Sequence, residues 1–305
     1  MGPTLKDIDA ARAALVDDLV RRELIRTPAV ERAFRKVPRH AFFEPIYRVA
    51  TDPFAADFIQ TNDPCRVYTD AVAVIDPARH ITSAAPSVAA AQIEQLAPIE
   101  GMRVLHVGTG TGYYTAVLVE LAGESGGVVG VEYEEDLAEV SAALLGRGGY
   151  TTVTIQHGDG AFGVPEAAPF DRIMISAGAA DISPVWISQL ADEGRLVVPL
   201  CHGGPAGPTI GGGAVLTVHK AGDTLSGHIT DMAFFPPLRG AAAPTEEEGA
   251  LLADGLMRWF ALSEFLRTRL RIRIVMRSEG REPPDPASVP WYLETRSAVM
   301  WVEPH

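Results

Sequence analysis

Val104-Leu105-His106-Val107-Gly108-Thr109-Gly110-Thr111-Gly112-Tyr113 carries an apolar strand into a turn in which every second residue is glycine. A helical pattern starts directly after it. Glycine at 108, 110 and 112 lets the backbone take positive φ and lets a ligand come close. The spacing is Gly-x-Gly-x-Gly, whereas the nicotinamide-dinucleotide fingerprint is Gly-x-Gly-x-x-Gly. No later glycine falls in register, so a dinucleotide is disfavoured. S-Adenosylmethionine, which carries no phosphate, suits the turn better. Taken alone, such a turn also serves as a plain tight turn.

Outward from it the chain alternates strand and helix. Arg103–Val107 is an apolar strand, Thr115–Leu121 a helix, Gly127–Glu132 a strand and Leu137–Leu145 a helix. Thr152–Gln156 and Arg172–Ser176 are strands. Ser183-Pro184, a cap followed by proline, opens a helix through Leu190. Arg195–Leu200 is another strand, and Ala214–His219 with Ile229–Phe235 forms an antiparallel edge. This order predicts an α/β fold with a mostly parallel sheet covered on both faces. Upstream, residues 4–36 are helical, restarting at Thr27-Pro28, and 46–80 are loop with short pieces of structure, punctuated by Asp-Pro pairs. Ser87 caps a helix through Leu96. Beyond Gly240 a linker leads to an amphipathic helix, Glu246–Leu266, and to strands at Arg267–Arg277 and Thr295–Val302. The organisation is an N-terminal helical and substrate-loop region (1–86), a cofactor-binding core (87–240) and a small C-terminal α+β extension (241–305).

Two further loops add to the glycine turn. Glu132 ends the next strand, where an acidic side chain takes ribose hydroxyls, and Tyr133 follows it. Gly158-Asp159-Gly160 follows the third strand, and Asp159 there can accept a hydrogen bond from an adenine amino group. Either carboxylate also reads as an ordinary strand end or Asp-Gly turn. All three loops fall at the carboxyl ends of neighbouring strands, where open α/β sheets bind ligands.

Composition narrows the function classes. The 305 residues hold 26 Lys and Arg against 39 Asp and Glu, a formal net charge of −13. Nucleic acid is not an expected partner, because phosphate binding needs a basic footprint. The two cysteines, Cys65 and Cys201, make neither a disulfide framework nor a metal cluster. No metal site is expected. No apolar run is long enough for a bilayer and no signal peptide is present, so the expectation is a cytoplasmic protein with no membrane partner.

From about Leu15 to Gly240 the chain resembles the protein-L-isoaspartate O-methyltransferase family. The resemblance is carried by Thr27-Pro28-Ala29-Val30, Val37-Pro38-Arg39-His40, Gly108–Tyr113, Gly158-Asp159-Gly160, Ala168-Pro169-Phe170-Asp171 and Gly194-Arg195-Leu196-Val197-Val198-Pro199. It implies a Rossmann-like class I methyltransferase fold and S-adenosylmethionine as cofactor. His106, Gly108, Thr109, Gly110, Thr111, Gly112 and Tyr113 would form its turn. Glu132 and Tyr133 would meet the ribose side, and Asp159 and Gly160 the adenine.

The departures are as informative. The family carries an acidic residue two before the first turn glycine, where this chain has His106. The family's Thr-Ile-Ser-x-Pro, whose serine meets the substrate carboxylate, is here Ile81-Thr82-Ser83-Ala84-Ala85-Pro86, so Ala84 stands at the serine position. Ser83, with Thr82, is the candidate to orient the substrate, and Ser176 to line the pocket. In the extension, Arg267, Arg269, Arg271 and Arg273 alternate with apolar or small residues. On a strand they share one face, to grip an acidic peptide or to keep a solvated sheet edge from aggregating.

The combination implies methyl transfer to a carboxylate of a peptide or protein carrying Asp or isoAsp. The altered pocket and added extension resemble relatives acting in ribosomal-peptide maturation, where an aspartyl ester collapses to an aspartimide. The alternative is repair of isoaspartyl damage, and a more distant one is a non-catalytic peptide-binding module.

Overall fold

The computed structural model describes residues 2–49, 58–201, 211–243, 245–261, 271–289 and 291–302. Its helices are α1 (Leu5–Arg21), α2 (Pro28–Lys36), α3 (Pro86–Leu96), α4 (Tyr113–Ala122), α5 (Glu135–Arg147), α6 (Pro184–Gln189) and α7 (Glu246–Ala261). The first strands are β1 (Ile46–Val49), β2 (Phe58–Thr61), β3 (Ala73–Asp76) and β4 (Ile81–Ser83). Next come β5 (Arg103–Val107), β6 (Gly127–Glu132), β7 (Val153–His157), β8 (Phe170–Ile175) and β9 (Leu190–Cys201). The remainder are β10 (Gly211–Ala221), β11 (Thr224–Phe235), β12 (Ile272–Met276), β13 (Tyr292–Glu294) and β14 (Ala298–Val302). The chain divides into two units, Met1–Met102 with Thr109–Gly158, and Arg103–Gly108 with Asp159–His305.

In the first unit, α1 starts on a reciprocal capping box between Thr4 and Asp7, and α2 on the Thr27 hydroxyl with Pro28 in its first turn. Ser87 is not the cap of α3. Pro86 takes the first turn, Ala85 is the cap, and the Ser87 amide donates to Asp70 at 2.8 Å. Strands β6 and β7 pair in parallel through the crossover helix α5. The core between α2 and α4 is aromatic: Phe34, Phe42, Phe43, Tyr113 and Tyr114 stack at ring separations of 4.7–6.5 Å.

In the second unit, β5, β8 and β9 are parallel neighbours and β10 and β11 continue antiparallel. The expected antiparallel edge is not an edge. β12 pairs with β11 (Leu225↔Ile274), β14 with β12, and β13 with β14, so the extension prolongs the sheet. Apolar alternation in β12, with Ile272, Ile274 and Met276 buried, is the local reason. Trp259 of α7 is wholly buried against Trp291, 5.1 Å between ring centroids. Among the described residues no helix is long and apolar enough to cross a membrane.

Candidate active site

In the first unit, Gly110 and Gly112 hold φ of +55° and +90°. A Cβ at Gly112 would lie 2.7 Å from Ser141 Oγ of α5, so only glycine fits there. The Glu132 carboxylate accepts three amides: Gly110 N at 2.8 Å, Tyr133 N at 2.9 Å and Glu134 N at 3.3 Å. Burial pushes its pKa up, and the three donors oppose that. The strand-end acid therefore holds the glycine turn in place. Thr109 Oγ1 and Thr111 Oγ1 are buried with no hydrogen-bond partner. A buried hydroxyl left unpaired costs about 1–3 kcal/mol, a cost the turn carries twice. The glycine backbone of the turn, with the Glu132 carboxylate beside it, is the donor and acceptor set that suits the amino-acid and ribose groups of S-adenosylmethionine.

Tyr113 behaves differently from its neighbours in the turn. Its ring is buried among the aromatics, with the Arg39 guanidinium carbon 4.7 Å from the centroid, so only its backbone faces the turn's chemistry. Ser83 and Thr82 lie on β4, paired with Ala73 and Val74 of β3. Immediately after Ser83, the Ala84 carbonyl accepts from the Tyr114 hydroxyl at 2.8 Å, and that hydroxyl accepts from Arg39 Nη1 at 3.0 Å. Arg39 is wholly buried, and its Nε donates to the Val67 carbonyl at 2.8 Å. A charged residue in Val37-Pro38-Arg39-His40 carries no local signal that it is buried.

In the second unit, Gly108 has φ of +81°, and a Cβ there would lie 3.8 Å from Ser176. His106 Nε2 and Ser176 Oγ are 2.8 Å apart, so two expected site residues pair with each other. Burial lowers the His106 pKa to about 4, and the ring is neutral at neutral pH. It therefore does not supply the negative charge of the family's acidic residue.

This gives a pH prediction. The unfolded imidazole protonates near 6.5 and the folded one near 4. Between those values the unfolded chain binds more protons, so stability rises with pH across the window and is lost as pH falls through it. The loss from about pH 7 to about pH 5 should be about 2 kcal/mol in urea unfolding, and His106→Gln should remove that share. An acid limb identical in both proteins would contradict the buried neutral ring.

Asp159 is more engaged than its motif suggests. Oδ1 accepts Ala161 N at 2.9 Å and Oδ2 accepts Ala241 N at 2.7 Å. Gly240, at φ +79°, packs so closely that a Cβ would sit 2.2 Å from that carboxylate. The residues read as a linker thus seat the acid that is expected to meet adenine, with lone pairs left to accept. Gly160 is equally tight, 2.2 Å from Val107 Cγ1 to a built Cβ, and its carbonyl accepts from Trp186 Nε1 at 2.8 Å. In the loop beyond Ser176, Asp181 Oδ1 accepts from Thr295 Oγ1 of the extension at 2.5 Å.

The arginine stripe is only partly within view. Arg267 and Arg269 lie outside the described residues. Arg271 precedes β12, exposed, and Arg273 is half-buried on a strand flanked by β11 and β14 rather than on a free edge.

The model of the family described as protein-L-isoaspartate(D-aspartate) O-methyltransferase matches residues 10–205. The chain belongs to that family. It is 38% identical over 194 residues to protein-L-isoaspartate O-methyltransferase 2 of Archaeoglobus fulgidus, covering 64% of this chain and 80% of that one. It is 34% identical over 227 residues to a protein-L-isoaspartate O-methyltransferase of Pyrobaculum neutrophilum, 74% and 97% of the two chains. Among solved structures, a protein-L-isoaspartate O-methyltransferase superposes with TM-score 0.62 at 22% identity, over 96% of this chain and 88% of that one. A putative family enzyme from Plasmodium falciparum, in complex with S-adenosyl-L-homocysteine, gives 0.55 at 18%, over 77% and 98%. These two share the fold. As a member of that family, this chain is an S-adenosylmethionine-dependent carboxyl O-methyltransferase. The family match stops at 205, so the extension from 241 lies beyond it.

Proposed function

We propose that this enzyme methylates the free α-carboxylate of isoaspartyl residues in peptides or proteins. The family match over residues 10–205 carries the reading, with relatives of that name at 34–38% identity. When bound, S-adenosylmethionine supplies an electrophilic methyl group on a sulfonium. In the first unit, Gly110 and Gly112 would admit it, with Thr109 and Thr111 in the same turn, and Glu132 would take its ribose; in the second unit, Gly108 and Asp159 are the residues that the family resemblance assigns to the turn and the adenine. Tyr133, 44% exposed, offers a ring face beside Glu132. An α-carboxyl has an ordinary pKa of about 3.5 and is already ionised at neutral pH, so no general base is needed. The work left to the chain is alignment and exclusion of water. In the first unit Ser83 and Thr82 would orient the attacking oxygen; in the second, Ser176, paired with His106, is the residue the resemblance assigns to the substrate side.

Ser83→Ala should slow methyl transfer about tenfold while cofactor affinity is unchanged, the loss of one orienting hydrogen bond. An unaltered rate would remove Ser83 from the site.

A second reading is favoured by Ala84 at the serine position and by the extension bonded to the loop beyond Ser176: methylation of one aspartate in a ribosomally made peptide, with collapse to an aspartimide. Matched isoaspartyl and aspartyl peptides with radiolabelled S-adenosylmethionine separate the two. Base-labile ester on isoaspartyl peptides in several sequence contexts supports repair. Silence on both, with cofactor still bound, points to a dedicated precursor.

A further inference from the structure

We propose that Arg79 is a positioning residue that fastens the β3–β4 hairpin, and with it Ser83, to the loop that carries Glu132. This rests on the methyltransferase reading given above and deepens it. Arg79 sits at the tip of the hairpin. Its Nε donates to Asp76 Oδ2 at 2.7 Å within the hairpin. Its two terminal nitrogens reach elsewhere: Nη1 to Glu134 Oε2 at 3.0 Å and Asp136 Oδ1 at 2.9 Å, and Nη2 to Asp136 Oδ2 at 2.8 Å. The pairing with Asp136 is bidentate, the geometry that fixes orientation as well as distance.

Both ends of this fastening touch residues with assigned work. Glu134 follows Glu132 by two residues, and its amide donates to the Glu132 carboxylate that also holds Gly110. At the other end, Asp76 accepts the amides of Ala78 and Arg79, so the tip is braced against its own backbone. The strands behind it pair Val74 with Thr82 and Ala73 with Ser83, so a shift of the tip is carried to the substrate segment. Between the two ends, Ile75 Cδ1 lies 3.3 Å from where a Cβ on Gly110 would be. The hairpin thus runs across the cofactor turn and is tied down on its far side.

Stability alone does not account for these contacts. Arg79 is 37% exposed and Asp136 64% exposed, and although a bidentate pair within a network adds something to folding, solvent screens it in that setting. What a bidentate tie across a ligand turn does provide is a closed position of the hairpin. Release of the spent cofactor then requires the tie to open, and seating of the cofactor loop sets the place of Ser83.

The test uses the full-length chain and S-adenosylhomocysteine as probe, with its release rate followed by stopped flow and methyl transfer measured on an isoaspartyl peptide. Arg79→Met should speed release about tenfold and lower kcat, in a chain that stays folded with a thermal midpoint only a few degrees lower. Arg79→Lys, which keeps the charge but not the fork, should fall between. Asp136→Asn, which weakens the bidentate partner, should speed release in the same direction and add little to Arg79→Met in the double variant, a coupling of release rates that a merely structural role would not produce. Release and kcat within about twofold of wild type in Arg79→Met would overturn the inference. Wild-type protein that binds no S-adenosylhomocysteine would overturn the methyltransferase reading, and the inference with it.

Discussion

Glu132→Ala is expected to weaken S-adenosylmethionine binding by about a hundredfold or more. The side chain does two things at once. Its carboxylate accepts the amides of Gly110, Tyr133 and Glu134, and in the proposed complex it takes the ribose hydroxyls. Removing it strands three donors, one of them inside the glycine turn. Hydrogen bonds to a charged group contribute about 1.5–3 kcal/mol each, so losing the ribose contact together with the turn's anchor reaches a hundredfold even if the amides find water. Glu132→Gln keeps the shape and one carbonyl acceptor, and should lose about tenfold. Titration calorimetry on folded protein decides this. Unchanged affinity in the alanine variant would take Glu132 out of the cofactor site.

Trp186→Ala is expected to remove about 4–6 kcal/mol of stability, a large share of the 5–15 kcal/mol that a folded chain usually has. The indole is wholly buried and donates to the Gly160 carbonyl at 2.8 Å. Truncation leaves a cavity, worth about 3–5 kcal/mol for Trp, and an unpaired carbonyl besides. The damage should also reach the Asp159 turn, because Ser183, which caps α6, donates to the Ala161 carbonyl at 2.9 Å. Trp186→Phe keeps most of the packing and loses only the donor, an expected cost of about 1–2 kcal/mol. Urea unfolding of the three proteins gives the ordering. A cost below about 2 kcal/mol for the alanine variant would contradict the packing described here.

Much of this architecture is legible in sequence for local reasons. β5 and β6 fall where an apolar run is closed by turn residues, Arg103–Val107 and Gly127–Glu132. Ser183 before Pro184 caps α6 because a hydroxyl acceptor and a fixed φ belong at a helix start. The same rule misleads at Ser87, where Pro86 already occupies the first turn and the cap falls on Ala85. What stays hidden is non-local. Nothing near β11 announces that β12 will pair with it. Arg39 looks like a surface residue until the tyrosines close over it. Asp159 reads as a free turn acid, although Ala241, 82 residues later, bonds its second oxygen. The Gly-x-Gly-x-Gly turn is legible as a cofactor loop. The hydroxyls left unpaired within it, and the arginine tied across it, are visible only in three dimensions.

Isoaspartyl methylation is tested most directly by following one isoaspartyl peptide by mass spectrometry, with wild-type enzyme and S-adenosylmethionine. The peptide should first gain the mass of one CH2, a methyl in place of the acid proton, then lose methanol to the succinimide, then hydrolyse to return part of it as normal aspartyl, all dependent on the cofactor. A peptide that stays unmethylated while the enzyme demonstrably binds the cofactor would contradict isoaspartyl methylation and leave the dedicated aspartyl precursor as the substrate to try.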